Sequence, residues 1–262
     1  MSNESTSRTL VITLLVTIVC SVLVSFSVVY LRPRQELNKE ADRKRNILMA
    51  IGIKASADEV DEKFKVITPF VVDIVTGEQS EIITPENYDT SRLEKDAANI
   101  IVLNKNNDIA GIKKILRYQM IYLVKAESVV QNIILPVYGK GLWSTMYGFL
   151  ALESDAQTIK GLTFYEHGET PGLGGEVDNP KWKALWPGKK ISDDLENVRI
   201  EIIKGHAETS DDDAQYKVDG ISGATLTSRG VGNLVRFWAG KDGYGKYLTS
   251  LIQGQKSKGG TR

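Results

Sequence analysis

The chain has 262 residues, 42% hydrophobic and 25% charged, which suits one or two folded domains and excludes a disordered polar chain. Its 33 basic and 33 acidic residues cancel, so there is no net basic footprint and nucleic acid is not an expected partner. One cysteine and two histidines exclude an intramolecular disulfide, a cysteine-rich iron–sulfur site and a histidine cluster; no metal site is expected.

Residues 1–9 read as a short tail. Residues 10–31 carry no charged side chain, and at about 1.5 Å per residue they reach about 33 Å, enough to cross the hydrocarbon core. A single transmembrane helix is predicted. The apolar run is longer than a signal peptide's usual core of about 7–15 residues, and Tyr30-Leu31-Arg32-Pro33 is a poor cleavage site. Val19 before Cys20 is too large for a lipoprotein signal. Cys20 and Tyr30 are the only ionisable groups in the segment, so it reads as an anchor and not as an ion path. Arg32, Arg34, Lys39, Arg43, Lys44 and Arg45 follow it, against Arg8 alone before it, so the positive-inside count keeps the large domain cytoplasmic.

After the membrane segment, residues 32–110 read as an N-terminal α/β part and residues 111–254 as the part that carries the motifs. Arg43, Lys44 and Arg45 belong on the solvated face of a helix, with Leu37, Ile47, Leu48 and Ile51 available for packing and Gly52 to stop it. Ser56-Ala57-Asp58-Glu59 is a capping-box pattern for a short helix toward Phe64 and Val66. Residues 70–75 form a strand that turns at Thr76-Gly77, with residues 81–83 returning beside it. Further strands are expected at 118–124, 129–135, 144–152 and 158–165, the last two joined by a hairpin loop at 154–157. A glycine-rich loop at 169–175, a short helix at 181–185 and a strand at 198–203 follow, and residues 255–262 form a polar tail. The fold class is α+β: a single N-terminal transmembrane helix followed by a soluble α+β domain.

The most informative stretch is Asp219-Gly220-Ile221-Ser222-Gly223-Ala224-Thr225-Leu226-Thr227-Ser228. Tyr216-Lys217-Val218 can end a strand before it. Beyond it Val231, Leu234, Val235 and Trp238 repeat at the spacing of one helical face. The loop therefore opens a helix, where orphan N–H groups and the helix dipole favour an anion, and Gly223 allows close backbone approach. Serine, threonine and glycine are also ordinary turn and capping residues, so the stretch alone indicates a phosphate loop without naming the ligand.

The stretch resembles the flavinylation motif of the FMN-binding domain family, whose members carry FMN as a phosphoester on the last threonine of the motif. By that resemblance the acceptor is Thr225. Glu169-Thr170-Pro171-Gly172-Leu173-Gly174 is similar to the family segment that lies along the flavin, and Gly139-Lys140-Gly141-Leu142-Trp143-Ser144 precedes it as in the C-subunit branch, that of the Na+-translocating NADH:quinone oxidoreductases. The G-subunit branch of Rnf complexes shares the motif and is the alternative. The resemblance makes residues 111–254 the FMN-binding domain, with covalent FMN as cofactor. Ser222, Gly223, Ala224 and Thr227 then surround the attachment point. Leu142, Trp143 and Leu173 are wall candidates, with an ordinary core role for Trp143 equally open. Ser144 and Thr170 are donor candidates for the ring's polar edge, and Glu169 would disfavour negative charge on a reduced flavin. No residue of this chain is assigned a catalytic role.

The resemblance further implies attachment by a separate Mg2+-dependent flavin transferase and assembly with the A, B, D, E and F subunits. It also implies relay of electrons from an iron centre to the next flavin toward ubiquinone, coupled to Na+ export, and a periplasmic domain, against the charge count. Two other classes compete: a free-standing FMN-dependent reductase and a membrane-tethered sensory module without covalent flavin. Val177 stands where a dinucleotide fingerprint after Gly172 and Gly174 needs Gly or Ala, so the chain is not expected to oxidise NADH by itself. His167 near Glu169 reads as pocket lining or surface, and Asp211-Asp212-Asp213 as a solvated loop.

Overall fold

A computed structural model describes residues 6–126, 129–193, 197–207 and 212–259. Helix α1 runs Thr6–Ala50, and α2 is Val60–Phe64. Strands β1 (Ile67–Asp73) and β2 (Glu78–Gln79), helix α3 (Thr90–Leu93) and strands β3 (Ile100–Val102) and β4 (Lys114–Leu116) follow. Then come the long strands β5 (Tyr118–Ala126), β6 (Val129–Lys140), β7 (Thr145–Glu153) and β8 (Ile159–Glu166). Helix α4 (Pro180–Lys183), strands β9 (Glu201–Ile203) and β10 (Lys217–Asp219), and helices α5 (Thr225–Ala239) and α6 (Gly245–Gly259) complete the chain.

The chain divides into the units Met1–Arg43 and Lys44–Arg262. In the first, α1 has the length and apolar composition to cross a membrane. Three of its hydroxyls are satisfied within the helix: Thr13, Thr17 and Ser27 donate to the carbonyls of Thr9, Thr13 and Leu23, as suits a polar side chain in hydrocarbon. The helix does not stop at the end of the apolar run; it continues through Pro33. Leu37, expected to pack, is exposed.

In the second unit the last turns of α1 are core. Ile47, Leu48, Ala50 and Ile51 are buried, and the helix closes where Gly52 and Ile53 donate back to Met49 and Leu48, with Gly52 at φ +83°. At the expected capping box the Glu59 carboxylate accepts from both the N–H and the hydroxyl of Ser56, and α2 begins one residue later.

Six antiparallel strands form the sheet in the order β2-β1-β5-β6-β7-β8. Side chains alternate between its faces, and both faces are covered. Ile121, Leu123, Ile133, Leu135, Leu150 and Leu152 face one core, shared with α5. Tyr122, Ile134, Phe149 and Ala151 face the other, shared with the end of α1. Burial on both faces explains why β5 to β8 read as apolar runs and not as clean alternation.

Several expectations shift. Strand β2 pairs at 78–79, directly after the turn, and not at 81–83. The pair β3–β4 and helix α6 carry weak patterns; α6 absorbs residues 255–259 of the expected tail, while 260–262 lie outside the described residues. β1 pairs with β5 along its whole length, so the sheet crosses the expected boundary at 110/111. The pair β9–β10 is parallel and leads directly into α5. Leu48 has no exposed surface, so Leu48→Ala should cost about 2–5 kcal/mol, read as a lower denaturation midpoint of the detergent-solubilised chain by tryptophan fluorescence.

Candidate functional site

The turn before α5 explains its own sequence. Ala224 N–H donates to Ile221 C=O at 3.1 Å, which closes a four-residue turn with Gly223 in its third position at φ +75°. That is the position where a type II turn requires left-handed backbone, hence glycine. The next residue, Ala224, is the N-cap of α5 and supplies no side-chain acceptor. The first N–H groups of a 15-residue helix are thus left without the usual Ser, Thr, Asp or Asn cap. The hydroxyls divide by direction: Ser222 and Thr225 are exposed, Thr227 and Ser228 are buried, and the Ser228 hydroxyl accepts from Ile221 N–H.

The three stretches singled out in the sequence meet at one carboxylate. Glu169 accepts from the N–H groups of Leu142 (3.2 Å), Trp143 (2.9 Å) and Ser144 (3.2 Å), and from the Thr227 hydroxyl at 2.6 Å. Burial alone would raise its pKa; the Thr227 hydroxyl and the three N–H groups outweigh that and hold it below the ordinary glutamate value. Around this knot Gly168 N–H donates to the Ser144 hydroxyl at 2.7 Å. Glu169 N–H donates to His167 Nδ1, whose Nε2 lies 2.8 Å from Asp178. His167 is therefore a brace between loops and does not form an acid–base pair with the Glu169 carboxylate.

Two sequence expectations change in role. Glu169 is buried with its carboxylate oxygens turned to Leu142–Ser144 and Thr227, and Thr227 is 1% exposed, so both position the site from beneath. The wall candidates, by contrast, lie on the surface: Leu142 is 42%, Trp143 68% and Leu173 46% exposed, which rules out the core role for Trp143. Leu226, in the first turn of α5, is 52% exposed as well and was not singled out; an apolar residue beside Thr225 was its only signal. A Leu173 methyl lies 3.1 Å from where a Cβ on Gly223 would stand, which places this rim against the turn. Thr170 is exposed, with its carbonyl accepting from Leu173 and Gly175; Ala224 is buried.

Beside the turn a cleft of about 730 Å³ is lined by Ser222, Gly223 and Thr225, by Lys204 and His206, and by Arg229, Gly232 and Arg236 of α5. Asp219 braces its edge. Its carboxylate accepts from Ala207 N–H at 2.8 Å and meets His206 at 2.6 Å, while its carbonyl accepts from the Trp182 indole. The geometry fits a phosphate-bearing aromatic cofactor: an exposed hydroxyl on an uncapped helix start, between a cationic cleft and an apolar rim. Among the described residues no group of three or more His, Cys, Asp or Glu can hold a metal ion. Asp213, from the acidic triplet, pairs with Arg199; Asp211 lies outside the described residues.

Comparison with known proteins gives the family. Residues 141–240 match the FMN-binding domain family. The chain is 47% identical over 258 residues to the C subunit of the Na+-translocating NADH-quinone reductase of Pseudomonas aeruginosa, covering 97% of this chain and 99% of that one. It is 40% identical over 255 residues to the corresponding C subunit of Vibrio alginolyticus, with 97% and 98% covered. Among solved structures, Shewanella oneidensis NqrC superimposes with a TM-score of 0.74 at 33% identity, covering 83% of this chain and 99% of that one.

Replacing Glu169 by Gln removes one acceptor oxygen and sets an amide donor against backbone N–H groups that can only donate, and at neutral pH should cost on the order of 2–3 kcal/mol. The sign with pH follows from the lowered pKa: the carboxylate's contribution is complete above the unfolded value of about 4.3 and is lost as pH falls through the lower folded value. Urea titrations across pH should show the gap between wild type and Glu169→Gln closing in acid.

Proposed function

Because the chain belongs to the C-subunit family of the Na+-translocating NADH-quinone reductases, we propose that it is the flavin-bearing subunit of such a complex, holding FMN covalently as a phosphoester on Thr225. The observation that carries this reading is the exposed Thr225 at an uncapped helix N-terminus, beside an exposed apolar rim. When bound, FMN supplies the capacity to take up and release electrons.

This chain's residues supply the rest. Thr225 makes the cofactor a permanent part of the chain, so it is retained between transfers at an effective concentration that free binding does not reach. Ser222, Gly223 and Ala224 shape the turn that presents the hydroxyl, and the uncapped N–H groups face the phosphate. Leu142, Trp143, Leu173 and Leu226 form the apolar wall; the Thr170 hydroxyl and nearby N–H groups serve the polar edge, while Ser144 also holds Gly168. Glu169 and Thr227 fix these loops from below, and the ionised Glu169 carboxylate is a negative charge that disfavours a second one on a reduced flavin. The carboxylate therefore acts on the flavin's potential through its charge as well as through the loops it positions.

In the complex the chain relays electrons from an iron centre to the next flavin on the way to ubiquinone, with Na+ export by the assembly. Its partners are the A, B, D, E and F subunits and, during maturation, a flavin transferase. Helix α1 is the anchor, and the domain is periplasmic. A C-terminal alkaline phosphatase fusion should be active in the intact cell; an inactive, stable fusion would support the positive-inside count instead.

Thr225→Ala should give a folded chain whose intact mass lacks FMN when it is co-expressed with the transferase, and a complex that no longer reduces quinone. Ser222→Ala should retain most of the adduct. Stoichiometric covalent FMN in the Thr225 variant would sink the assignment.

A further inference from the structure

The cleft beside the turn has a feature that attachment at Thr225 alone does not require. At 100° per residue, Thr225, Arg229, Gly232 and Arg236 fall within about 60° of one another on α5 and line the cleft as a single stripe. Gly232 leaves its floor open, and Lys204 faces the stripe from the segment after β9. The lining carries these three cations against the single carboxylate of Glu201; His206 is engaged by Asp219. Among the described residues no carboxylate pairs with Lys204, Arg229 or Arg236. Arg236 donates to Asn233, yet its Nε is out of solvent without a hydrogen-bond partner among the described residues.

Three unpaired cations around an open cleft repel one another, and a buried guanidinium donor without an acceptor costs free energy. An anion in the cleft relieves both. We propose that the cleft is the seat of an organophosphate, with Arg229 as the first counter-ion of the phosphate that Thr225 carries and Lys204 and Arg236 extending the positive field along α5. The inference rests on the Thr225 reading and adds to it which residues of this chain select a phosphorylated flavin. It also assigns the two sides of the turn, phosphate toward the cationic cleft and ring toward the apolar rim. Arg229 stands one helical turn from Thr225, and Arg236 about 16 Å along the axis, so their effects should be graded.

The test uses the full-length Thr225→Val chain in detergent micelles, purified without flavin and titrated with FMN and with riboflavin, which lacks the phosphate. Flavin fluorescence is read at about 0.05 M and about 0.5 M salt. FMN should bind about tenfold or more tightly than riboflavin at low salt, with inorganic phosphate competing against FMN alone. Added Arg229→Gln should remove most of that preference, Arg236→Gln and Lys204→Gln a smaller part, and Arg229→Lys should restore much of it. Equal affinities, no binding of either flavin, or a preference that survives Arg229→Gln would overturn the proposal. Intact mass of the wild-type chain made with the transferase separates the two readings. An adduct on Thr225 without the phosphate preference removes only the cleft assignment, and the preference without an adduct removes only the carrier assignment.

Discussion

The site depends on a buried negative charge whose acceptors are all used inward. Glu169 draws three successive N–H groups of the loop after β6 and one hydroxyl of α5 onto its two oxygens, so segments far apart in the chain are held at one point. The loop that presents Leu142 and Trp143 has no regular structure of its own to fix it. Without that carboxylate three backbone donors would lie under the surface unpaired, and the apolar rim would lose its position relative to Thr225. The knot is electrostatic in origin but its product is geometric: it holds the loop bearing Leu142 and Trp143 to the first turn of α5.

The sheet supplies the rigidity behind it. β6 and β7 are buried on both faces, by α5 on one side and by the final turns of α1 on the other. Helix α5 therefore has one side committed to core through Val231, Leu234, Val235 and Trp238, all with no exposed surface, and the side bearing Thr225 and Arg229 left over. Asp219 plays the matching part at the other edge of the turn, tying the 204–207 segment to the start of the motif. Thr225 is thus framed by two carboxylates, each engaged elsewhere: Glu169 by Leu142–Ser144 and Thr227, Asp219 by His206 and Ala207.

Much of this was legible in the residues. The helical repeat after the motif, the glycine in the turn, the hairpin at 154–157 and the four long strands follow from local rules, and the structure has them. Short elements such as β3, β4 and β9 were weaker because two or three residues carry too little periodicity; their pairing is decided by tertiary contact. The direction of a hydroxyl is harder still: Ser222, Thr225, Thr227 and Ser228 look alike in a string, and only the helix that begins at Thr225 sends two inward and two outward. The same holds for Glu169, whose four donors come from segments far apart in the chain and so leave no local pattern to announce its bracing role. The cationic stripe is written in the residues as well, since Arg229 and Arg236 follow Thr225 at helical spacing, but a net charge of zero over the whole chain conceals a local patch.

Ala224 at the start of α5 has a further consequence. A side-chain cap there is worth about 1 kcal/mol in an ordinary helix, and this chain leaves that interaction to come from outside. An anion seated at this helix start would complete the helix as well as the site. Occupancy of the anion position and the stability of the first turn of α5 are therefore coupled, through N–H groups that no side chain of this chain caps.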